Sequence, residues 1–331
     1  MGRLRIGILG AARIAPMAVI RPARGLAEVE VAAVAARDPS RAAAFAQRHG
    51  VPRVHDTYAS LLADREIEAV YNPLPNGLHG RWTIAALEAG KHVLCEKPFA
   101  ANAEEAEAVA AVARRSGLTA MEAFHYRYHG LAARMLEIIA SGELGDIRRI
   151  EAWFCIPLII QDIRWEFALA GGALMDTGCY AVHLVRTLAG AEPAVVSAQA
   201  RLRSPGVDRL MQAELAFADG RTGRITASML SSRLFSVGAR VTGSDATMQV
   251  FNPVAPQHRH GLTVRAGRSV RKELVARQPS SYAAQLDAFA GAALHGRPFP
   301  TTVEDAVANM RVIDACYAAA GLPRREPSTF S

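Results

Sequence analysis

The first 122 residues alternate short apolar runs with helical segments, and this alternation constrains the fold more than any other feature. The apolar runs are typical of buried parallel strands and lie at residues 4–9, 29–36, 67–72, 92–95 and 118–121. Helical segments separate them, among them one predicted to begin at His79 and to end at Glu88, before Gly90. Because parallel strands need long crossover connections, the pattern predicts an α/β domain with a doubly wound parallel sheet.

The turn after the first strand has part of a dinucleotide-binding motif. Gly10, Ala12 and Ala15 stand at the three glycine positions of G-x-G-x-x-G, so only the first glycine is present. Glycine permits the tight turn, and the following helix offers N–H groups to a pyrophosphate. We predict a dinucleotide-binding Rossmann domain at residues 1–122, with Gly10, Ala12, Arg13 and Ile14 at the cofactor. A plain strand-to-helix turn is the alternative.

The end of the second strand indicates which nicotinamide nucleotide is bound. An acidic residue at this point usually meets the ribose 2′-hydroxyl of NAD. This chain has Arg37 instead, with Ser40 and Arg41 close behind. Arginine with a hydroxyl group suits the 2′-phosphate of NADP. The sequence therefore favours NADP; NAD is possible if Arg37 and Arg41 are ordinary exposed arginines at a helix start.

Two further loops follow predicted strands at their carboxyl ends, where open α/β sheets bind ligands. The loop after the 67–72 run supplies cofactor-binding candidates, which are Asn72, Pro73, Leu74, Asn76 and His79. The loop after Cys95 supplies Glu96 and Lys97. Both loops belong to the predicted Rossmann domain, so we expect them to lie at the same edge of its sheet.

Lys97 is unusual because the chain has only three lysines, Lys91, Lys97 and Lys272. Nearly all of its positive charge is arginine, which does not lose its proton in a protein, whereas a desolvated lysine can. A lysine at a predicted ligand-binding edge therefore suggests a need for an amine. A surface lysine in a turn is the alternative.

Beyond Glu122 the rhythm changes and strands dominate. After a predicted helix at 131–141, runs of strand type lie at residues 148–154, 195–203, 210–217, 222–230, 235–242 and 247–251. Asp219-Gly220 and Gly243-Ser244 are predicted hairpin turns. We predict a substrate-binding α+β domain at residues 123–331 with a large, mostly antiparallel open sheet. Such a sheet also suits a homodimer or homotetramer interface.

One predicted helix in this half carries three chemically active side chains. Asp176, Tyr180 and His183 follow the pair Gly171-Gly172 and are spaced i, i+4 and i+7, so we expect them on one helix face. Burying an acid, a phenol and an imidazole is costly unless they are paired. For Asp176 and Tyr180 we favour catalysis over a merely structural cluster. For His183 a structural role is favoured, with a substrate contact left open.

Other polar candidates are weaker. Arg164 and Trp165 precede the glycine pair and offer either a donor and a stacking face for a sugar or diol, or simply a packed tryptophan. Glu122, His125 and His129 have spacings that suit a metal on a helix. The segment is expected to be extended at Glu122 and to turn at His129, so we predict no metal site.

Charge and cysteine usage narrow the class of protein. Lys+Arg exceed Asp+Glu by seven, but the densest arginine groups, at 268–277 and 324–325, lack interleaved aromatic residues. The four cysteines show no metal-binding spacing and suit a reduced compartment. We see no signal peptide and no apolar run of membrane-spanning length. We therefore expect a cytoplasmic protein with a small-molecule substrate and without nucleic-acid or membrane partners.

Taken together, these motifs resemble the glucose–fructose oxidoreductase / inositol dehydrogenase / MocA family. The resemblance spans nearly the whole chain and is carried by the turn at Gly10, the segment 71–79, Glu96-Lys97-Pro98, and the segment 171–176 with Tyr180. The Glu-Lys-Pro element with a downstream D-x-x-x-Y is quite specific to the family. The degenerate glycine motif is not.

Two details of the sequence are similar to particular branches of this family, and two others depart from it. Tyrosine at 180, rather than histidine, is similar to the glucose–fructose oxidoreductase and dihydrodiol dehydrogenase branch. Residues 34–38 with Ser40-Arg41 resemble NADP-dependent dihydrodiol and xylose dehydrogenases. Ala12 departs from the family's usual glycine. His125-Tyr126 stands where related members often carry tryptophan, and this departure bears on the wall of the substrate site.

The resemblance implies an NADP-dependent oxidoreductase that transfers hydride between nicotinamide and a hydroxyl or carbonyl carbon of a sugar, polyol or cyclic trans-diol. We expect Lys97, Asp176 and Tyr180 to form one catalytic set. A lysine cation lowers the pKa of a nearby phenol, so Tyr180 or Lys97 would be the acid/base and Asp176 would orient them. The alternatives are a sugar–sugar oxidoreductase with tightly bound nucleotide and a non-catalytic nucleotide or sugar sensor.

Overall fold

The computed structural model describes residues 2–276 and 278–329, which divide into two compact units. Unit 1 comprises the described residues up to His125, the segment Tyr282–Val307 and the described residues from Pro327 onward. Unit 2 comprises the described residues of Tyr126–Ser281, with Ala308–Glu326. Each unit therefore contains segments that are far apart in the chain.

Helices occur in both units. Those described are α1 (Arg21–Ala23), α2 (Pro39–His49), α3 (Tyr58–Ala63), α4 (His79–Glu88), α5 (Ala103–Ser116), α6 (Gly130–Ala140), α7 (Cys179–Ala189), α8 (Ser281–His295) and α9 (Val303–Ala319). Two of them, α1 and α7, follow directly on π-helical segments, at Pro16–Ile20 and Leu174–Gly178. Helix α4 has the predicted bounds, and its end is followed by Gly90 in the left-handed region.

Unit 1 is built on a six-stranded parallel sheet. Its strands are β1 (Leu4–Leu9), β2 (Val29–Ala35), β3 (Arg53–His55), β4 (Ala69–Asn72), β5 (His92–Cys95) and β6 (Ala120–Glu122). They lie in the order β3-β2-β1-β4-β5-β6, which is the order of a doubly wound dinucleotide-binding sheet. The strand order reverses between β1 and β4, and ligands bind beyond the carboxyl ends at such a point. The predicted doubly wound parallel sheet is confirmed.

The chain returns to unit 1 after completing most of unit 2. The backbone N–H of Glu122, in edge strand β6, donates to the carbonyl of Thr301 at 3.2 Å. The rings of His125 and Tyr282 stack with their centroids 3.9 Å apart. The returning segment thus satisfies a backbone group that an edge strand would otherwise leave unpaired. The sequence-based boundaries, 1–122 and 123–331, include no such return, and the roles assigned to the two domains stay predictions.

Unit 2 contains an eight-stranded sheet. Its strands are β7 (Ile147–Cys155), β8 (Ala194–Ser204), β9 (Val207–Ala216), β10 (Thr222–Ser228), β11 (Ser236–Gly243), β12 (Thr247–Phe251), β13 (Gly261–Ala266) and β14 (Ser269–Glu273). The order is β14-β13-β12-β11-β7-β10-β9-β8, antiparallel throughout except for the parallel pair β7 and β10. Helix α7 packs on this pair, and its residues from Cys179 to Arg186 are all buried. The predicted α+β arrangement with a mostly antiparallel sheet is confirmed.

The sequence analysis missed strands β13 and β14. Strand β14 lies at the sheet edge with four of its five residues exposed, so it has no apolar alternation to reveal it. Its basic residues were interpreted only as part of the arginine group at 268–277, whose last member, Arg277, lies outside the described residues. Among the residues that the structure describes, no helix is both long and apolar enough to cross a membrane.

Candidate active site

The turn after β1 is the tight turn that the partial dinucleotide-binding motif predicts. Gly10 has φ +93°, and a Cβ at this residue would lie 3.1 Å from Cδ2 of Leu74. Its N–H donates to the carbonyl of Ala35 at 2.6 Å, and the N–H of Ala12 donates back to the carbonyl of Gly10 at 2.9 Å. The turn therefore depends on glycine at position 10 and tolerates alanine at position 12. It fits a nicotinamide dinucleotide, with Arg13 and Ile14 leading into the π-helical segment.

The candidate 2′-phosphate residues lie at the start of α2. Asp38 caps this helix, and its Oδ1 accepts from the backbone N–H of Ser40 at 2.9 Å and from the hydroxyl of Ser40 at 2.7 Å. These hydrogen bonds lower the pKa of Asp38. Arg37 and Arg41 are exposed on either side. The arrangement brings the predicted residues together at the carboxyl end of β2, and their preference for NADP stays a prediction.

The loop after β4 is held by Asn72. The buried Asn72 amide donates to the carbonyl of His79 at 3.0 Å and to the hydroxyl of Thr83 at 3.1 Å, and its Oδ1 lies 3.4 Å from the N–H of Leu74. Pro73, Leu74 and Asn76 thus form a loop that is fixed from within unit 1. Asn72 itself acts on the loop, so any contact with a cofactor would come from its neighbours or its backbone.

His79 connects this loop to the next one. Its Nε2 lies 2.6 Å from the carbonyl of Leu74, and its Nδ1 lies 2.7 Å from the carbonyl of Pro98. Burial lowers the pKa of the ring to about 4; the two carbonyl oxygens oppose this effect because they favour the protonated ring, while the charge of Lys97 adds to it. Both ring nitrogens of His79 face carbonyls of the protein, and the neutral ring, with one N–H, donates to one of them; its predicted contact with a cofactor stays a prediction.

The loop that carries Lys97, residues 96–101, is held at several points. Three side chains bind it: the hydroxyl of Tyr71 donates to Oε1 of Glu96 at 2.8 Å, Glu122 accepts from the N–H of Phe99 at 2.9 Å, and Glu105 accepts from the N–H of Ala101 at 2.7 Å. His79 reaches Pro98, the cis residue that follows Lys97. We call this segment the Lys97 loop; Lys97 itself is half-buried.

The other two lysines lie away from the Lys97 loop, one buried and one exposed. Lys91 is buried, and its ammonium donates to the carbonyls of Asp64 and Ile67 at 2.8 and 2.7 Å. Lys272 lies exposed in edge strand β14. Scarcity of lysine therefore does not by itself mark a catalytic amine, and the case for Lys97 depends on where its loop lies in the sheet.

In unit 2, Asp176 lies beside an arginine. Nε of Arg164 donates to Oδ1 of Asp176 at 3.0 Å, and Nη1 of Arg164 lies 3.3 Å from Oδ1 of Asp162. The side chain of Asp176 is 14% exposed. The structure therefore brings together two of the predicted site residues, the carboxylate of Asp176 and the guanidinium of Arg164.

Tyr180 is buried near the start of α7, among aromatic residues. Its ring lies 5.6 Å from that of Phe154 and 6.2 Å from that of Tyr126, centroid to centroid. The helix predicted to carry Asp176, Tyr180 and His183 is not a regular α-helix at its start, because Leu174–Gly178 is π-helical. A π-helix bonds i to i+5, which the spacing of the predicted site residues did not indicate. The proposal that they act with Lys97 of unit 1 stays a prediction.

His183, Trp165 and His125 have structural contacts. Nδ1 of His183 lies 2.6 Å from the hydroxyl of Tyr126, which supports the interpretation that it fixes the helix. Trp165 is buried, donates from Nε1 to the carbonyl of Ile160 at 3.2 Å, and packs in the core, which favours a packed tryptophan over a stacking face. His125 stacks on Tyr282. Within residues 2–276 and 278–329, no cluster of three metal-ligating side chains is present.

Comparisons with known proteins agree with this geometry. A family model described as the oxidoreductase family with NAD-binding Rossmann fold matches residues 4–124, and a model described as the GFO/IDH/MocA C-terminal domain matches residues 132–249. The chain is 40% identical over 323 residues to D-xylose 1-dehydrogenase (NADP(+)) 2 of Haloferax volcanii, covering 96% of this chain and 97% of that protein.

Two further similarities are informative. Trans-1,2-dihydrobenzene-1,2-diol dehydrogenase of Bos taurus is 35% identical over 68% of this chain and 67% of its own length. The crystal structure of KijD10, a 3-ketoreductase of Actinomadura kijaniata in complex with NADP and TDP-benzene, superposes with a TM-score of 0.88 at 29% identity, over 96% of this chain and 98% of that one. The predicted family and the predicted oxidoreductase class are confirmed.

Proposed function

Because this chain belongs to the GFO/IDH/MocA family of oxidoreductases, we propose that it is an NADP-dependent dehydrogenase of uncharged sugars. Its substrate class would include aldoses first, with polyols and cyclic trans-diols as related compounds. The similarity to a D-xylose 1-dehydrogenase over nearly the full length supports the first group, and the similarity to a dihydrodiol dehydrogenase supports the second.

The observation that carries this proposal is the fixation of the Lys97 loop. It follows β5 at the carboxyl edge of the unit 1 sheet, where open α/β sheets bind ligands. The six residues of this loop make hydrogen bonds with four side chains, which are those of Tyr71, His79, Glu105 and Glu122. A loop held this firmly suits a group that must keep its orientation toward a reacting substrate.

The charge around Asp176 supports an uncharged substrate. The guanidinium of Arg164 lies against two carboxylates, those of Asp162 and Asp176. Its positive charge is therefore balanced locally, and it offers less attraction to a diphosphate than an arginine without acidic neighbours would. A free sugar, which presents only hydroxyl groups, suits this environment better than a nucleotide-linked sugar does.

Oxidation of a sugar hydroxyl removes a hydride from carbon and a proton from oxygen. The nicotinamide, when bound, accepts the hydride. Tyr180 or Lys97 takes the hydroxyl proton, and the other donates a hydrogen bond to the same oxygen. Asp176, with Arg164, orients these groups and balances their charge. Reduction of a carbonyl follows the same steps in reverse.

Two fluorescence titrations, one with NADPH and one with NADH, test which nucleotide the protein prefers. We expect NADPH to bind more tightly than NADH, because two arginines flank the start of α2. The double variant Arg37→Ala/Arg41→Ala should weaken NADPH binding by roughly 10- to 100-fold and change NADH binding by less than about threefold, since each charge-assisted contact to phosphate is worth about 1.5 kcal/mol. Equal weakening of both nucleotides would contradict the 2′-phosphate assignment.

A substrate panel tests the reaction. Initial rates of NADP reduction are measured with D-xylose, other aldoses, a polyol and trans-1,2-dihydrobenzenediol, and reverse rates with a nucleotide-linked 3-ketosugar. We expect the highest kcat/KM with an aldose. Highest kcat/KM with the nucleotide-linked sugar would contradict the assignment to uncharged sugars. Nucleotide that stays bound through gel filtration, with hydride passing between two sugars, would indicate the sugar–sugar oxidoreductase instead.

A homodimer or homotetramer through the unit 2 sheet belongs to the same proposal, as does a cytoplasmic location. Exposed apolar side chains on this sheet support the interface; they are Val196, Leu202, Phe251 and Val270, each at least 44% exposed. Monodisperse monomers in sedimentation velocity at micromolar concentration would contradict it.

A further inference from the structure

Unit 2 contains an ion pair that is entirely removed from solvent. Nη2 of Arg325 lies 3.0 Å from Oδ1 of Asp208, and both side chains are 0% exposed. Asp208 comes from strand β9, and Arg325 follows α9 near the end of unit 2. Tyr317 of α9 completes the cluster, because its hydroxyl donates to Oδ1 of Asp208 at 3.0 Å. The guanidinium of Arg325 also lies over the Tyr317 ring, 4.1 Å from its centroid.

This cluster binds the backbone just ahead of Asp176. The second oxygen of Asp208 accepts from the N–H of Leu174 at 2.7 Å, at the first residue of the π-helical segment. Nε of Arg325 donates to the carbonyl of Gly171 at 2.7 Å. The ion pair therefore holds the chain on both sides of Gly172, two residues before the segment that carries Asp176.

The glycine pair is shaped to this cluster. Gly172 has φ +131°, and a Cβ there would lie 2.2 Å from Oδ1 of Asp208 and 2.7 Å from Nη2 of Arg325. On its other side the N–H of Gly172 donates to the carbonyl of Arg164 at 2.9 Å. Arg164 in turn binds Asp176 through Nε. The buried pair thus fixes Asp176 through the backbone at Leu174. It fixes Arg164 through the hydrogen bond from Gly172.

Stability alone does not account for a pair of this kind. Removing two charges from water costs several kcal/mol per ion, and replacing such a pair by apolar side chains is often neutral or stabilising. Burial raises the pKa of Asp208, and the charge of Arg325 opposes that rise. A pair that gives little stability but sets the position of a backbone segment is better explained by orientation than by folding energy.

We propose that Asp208, Arg325 and Tyr317 are positioning residues for the reaction, which act by fixing the backbone at Gly171–Leu174 and, through it, Asp176 and Arg164. The proposal rests on the catalytic role proposed above for Asp176. The carboxylate of Asp176 keeps its orientation only while the ion pair holds the residues before it.

A double-mutant cycle tests this proposal with the full-length enzyme. Arg325→Lys keeps the charge but replaces the planar guanidinium, which binds Asp208 and the Gly171 carbonyl at the same time, by a single ammonium. We expect it to lower kcat for the best sugar of the panel at least tenfold, with KM for NADP within twofold. In an Asp176→Asn background the same change should lower kcat less than twofold, because the carboxylate to be oriented is already gone.

The matched control is Arg186→Lys. Arg186 is also nearly buried and forms a two-point pair, with Glu192, but it lies at the far end of α7. We expect this variant to lower the unfolding temperature and to leave kcat within twofold. If Arg325→Lys does not fold, Tyr317→Phe, which removes only the hydroxyl that binds Asp208, enters the same cycle.

The outcomes separate two failures. Full turnover by Asp176→Asn alone overturns the catalytic role of Asp176 and this inference with it. Reduced turnover by Asp176→Asn, combined with additive effects in the cycle or with normal kcat in Arg325→Lys, overturns only the inference. Loss of kcat in Arg325→Lys that disappears in the Asp176→Asn background supports it.

Discussion

Two segments each carry a proposed catalytic residue but are fixed by different means. One is the Lys97 loop of unit 1; the other is Gly171–Gly178 of unit 2, a glycine turn that leads into the π-helical segment. The groups that bind the Lys97 loop lie within 25 residues of their partners, in neighbouring strands and helices of the same βαβ pattern. The turn is fixed by groups 34 to 154 residues away, through a buried ion pair.

This difference shows two ways to make a rigid site. Regular alternation of strands and helices brings the ends of successive strands together, so local hydrogen bonds are enough for the Lys97 loop. The turn of unit 2 starts a π-helical segment, which regular structure alone does not hold. A charged pair from distant parts of the chain supplies the missing constraint, at the cost of desolvating both charges.

The largest expected effect tests whether the Lys97 loop contributes chemistry as well as structure. Lys97→Met should lower kcat by 10²- to 10⁴-fold, the usual contribution of a positioned acid/base group, while NADPH still binds in the fluorescence titration. The matched control is Lys91→Met, since Lys91 donates to two carbonyls. That variant should lose about 2 kcal/mol of unfolding free energy with little change in kcat. Near-normal turnover by Lys97→Met would remove its catalytic assignment.

The next effect compares Gly172, beside the ion pair of unit 2, with Gly80 in unit 1. Gly172→Ala should cost about 3 kcal/mol or more in urea unfolding, because alanine at φ +131° is strained and its Cβ would overlap the buried ion pair. Gly80→Ala, in α4, should cost about 1 kcal/mol. The atoms nearest to its Cβ would be Cγ, Cδ and Oε1 of Glu105, a flexible side chain that can move, although it then loses its bond to Ala101. A larger loss for Gly80→Ala would reverse the comparison.

The smallest effect concerns pH. The folded ring of His79 has a pKa of about 4, below its ordinary value of 6.5. As the pH falls below 6.5, the unfolded chain binds a proton that the folded ring does not, so stability is lost until about pH 4. Between pH 7 and pH 5 the wild type should lose about 2 kcal/mol more than His79→Gln. Equal losses in the two proteins, measured by urea unfolding, would show that the ring's pKa is not lowered.

Much of the fold could be predicted because its signals are local. Helix α4 and strand β12 have their predicted bounds, since a glycine stop and an apolar alternation mark them. Strand β3 was missed because it has three residues and only one of them is apolar. Strand β14 was missed because an exposed edge strand has no buried face to pattern.

The site was less predictable for the same physical reason. The loops that follow β1, β2, β4 and β5 could be assigned, because the carboxyl edge of a parallel sheet follows from topology. The π-helical segment could not, since nothing in the spacing of Asp176 and Tyr180 separates it from an α-helix. Asp208 and Arg325 gave no signal either, because a buried pair and two surface charges look alike in sequence. The catalytic roles themselves stay predictions.

The return of residues 282–307 to unit 1 has a consequence for synthesis of the chain. Strand β6 and His125 are complete long before Thr301 and Tyr282 have been translated, yet they are partners in the folded unit. During translation, strand β6 therefore stays without its partner at Thr301 until all of the unit 2 sheet has been synthesised. A gene cut at residue 122 would separate β6 from the residue that covers its edge.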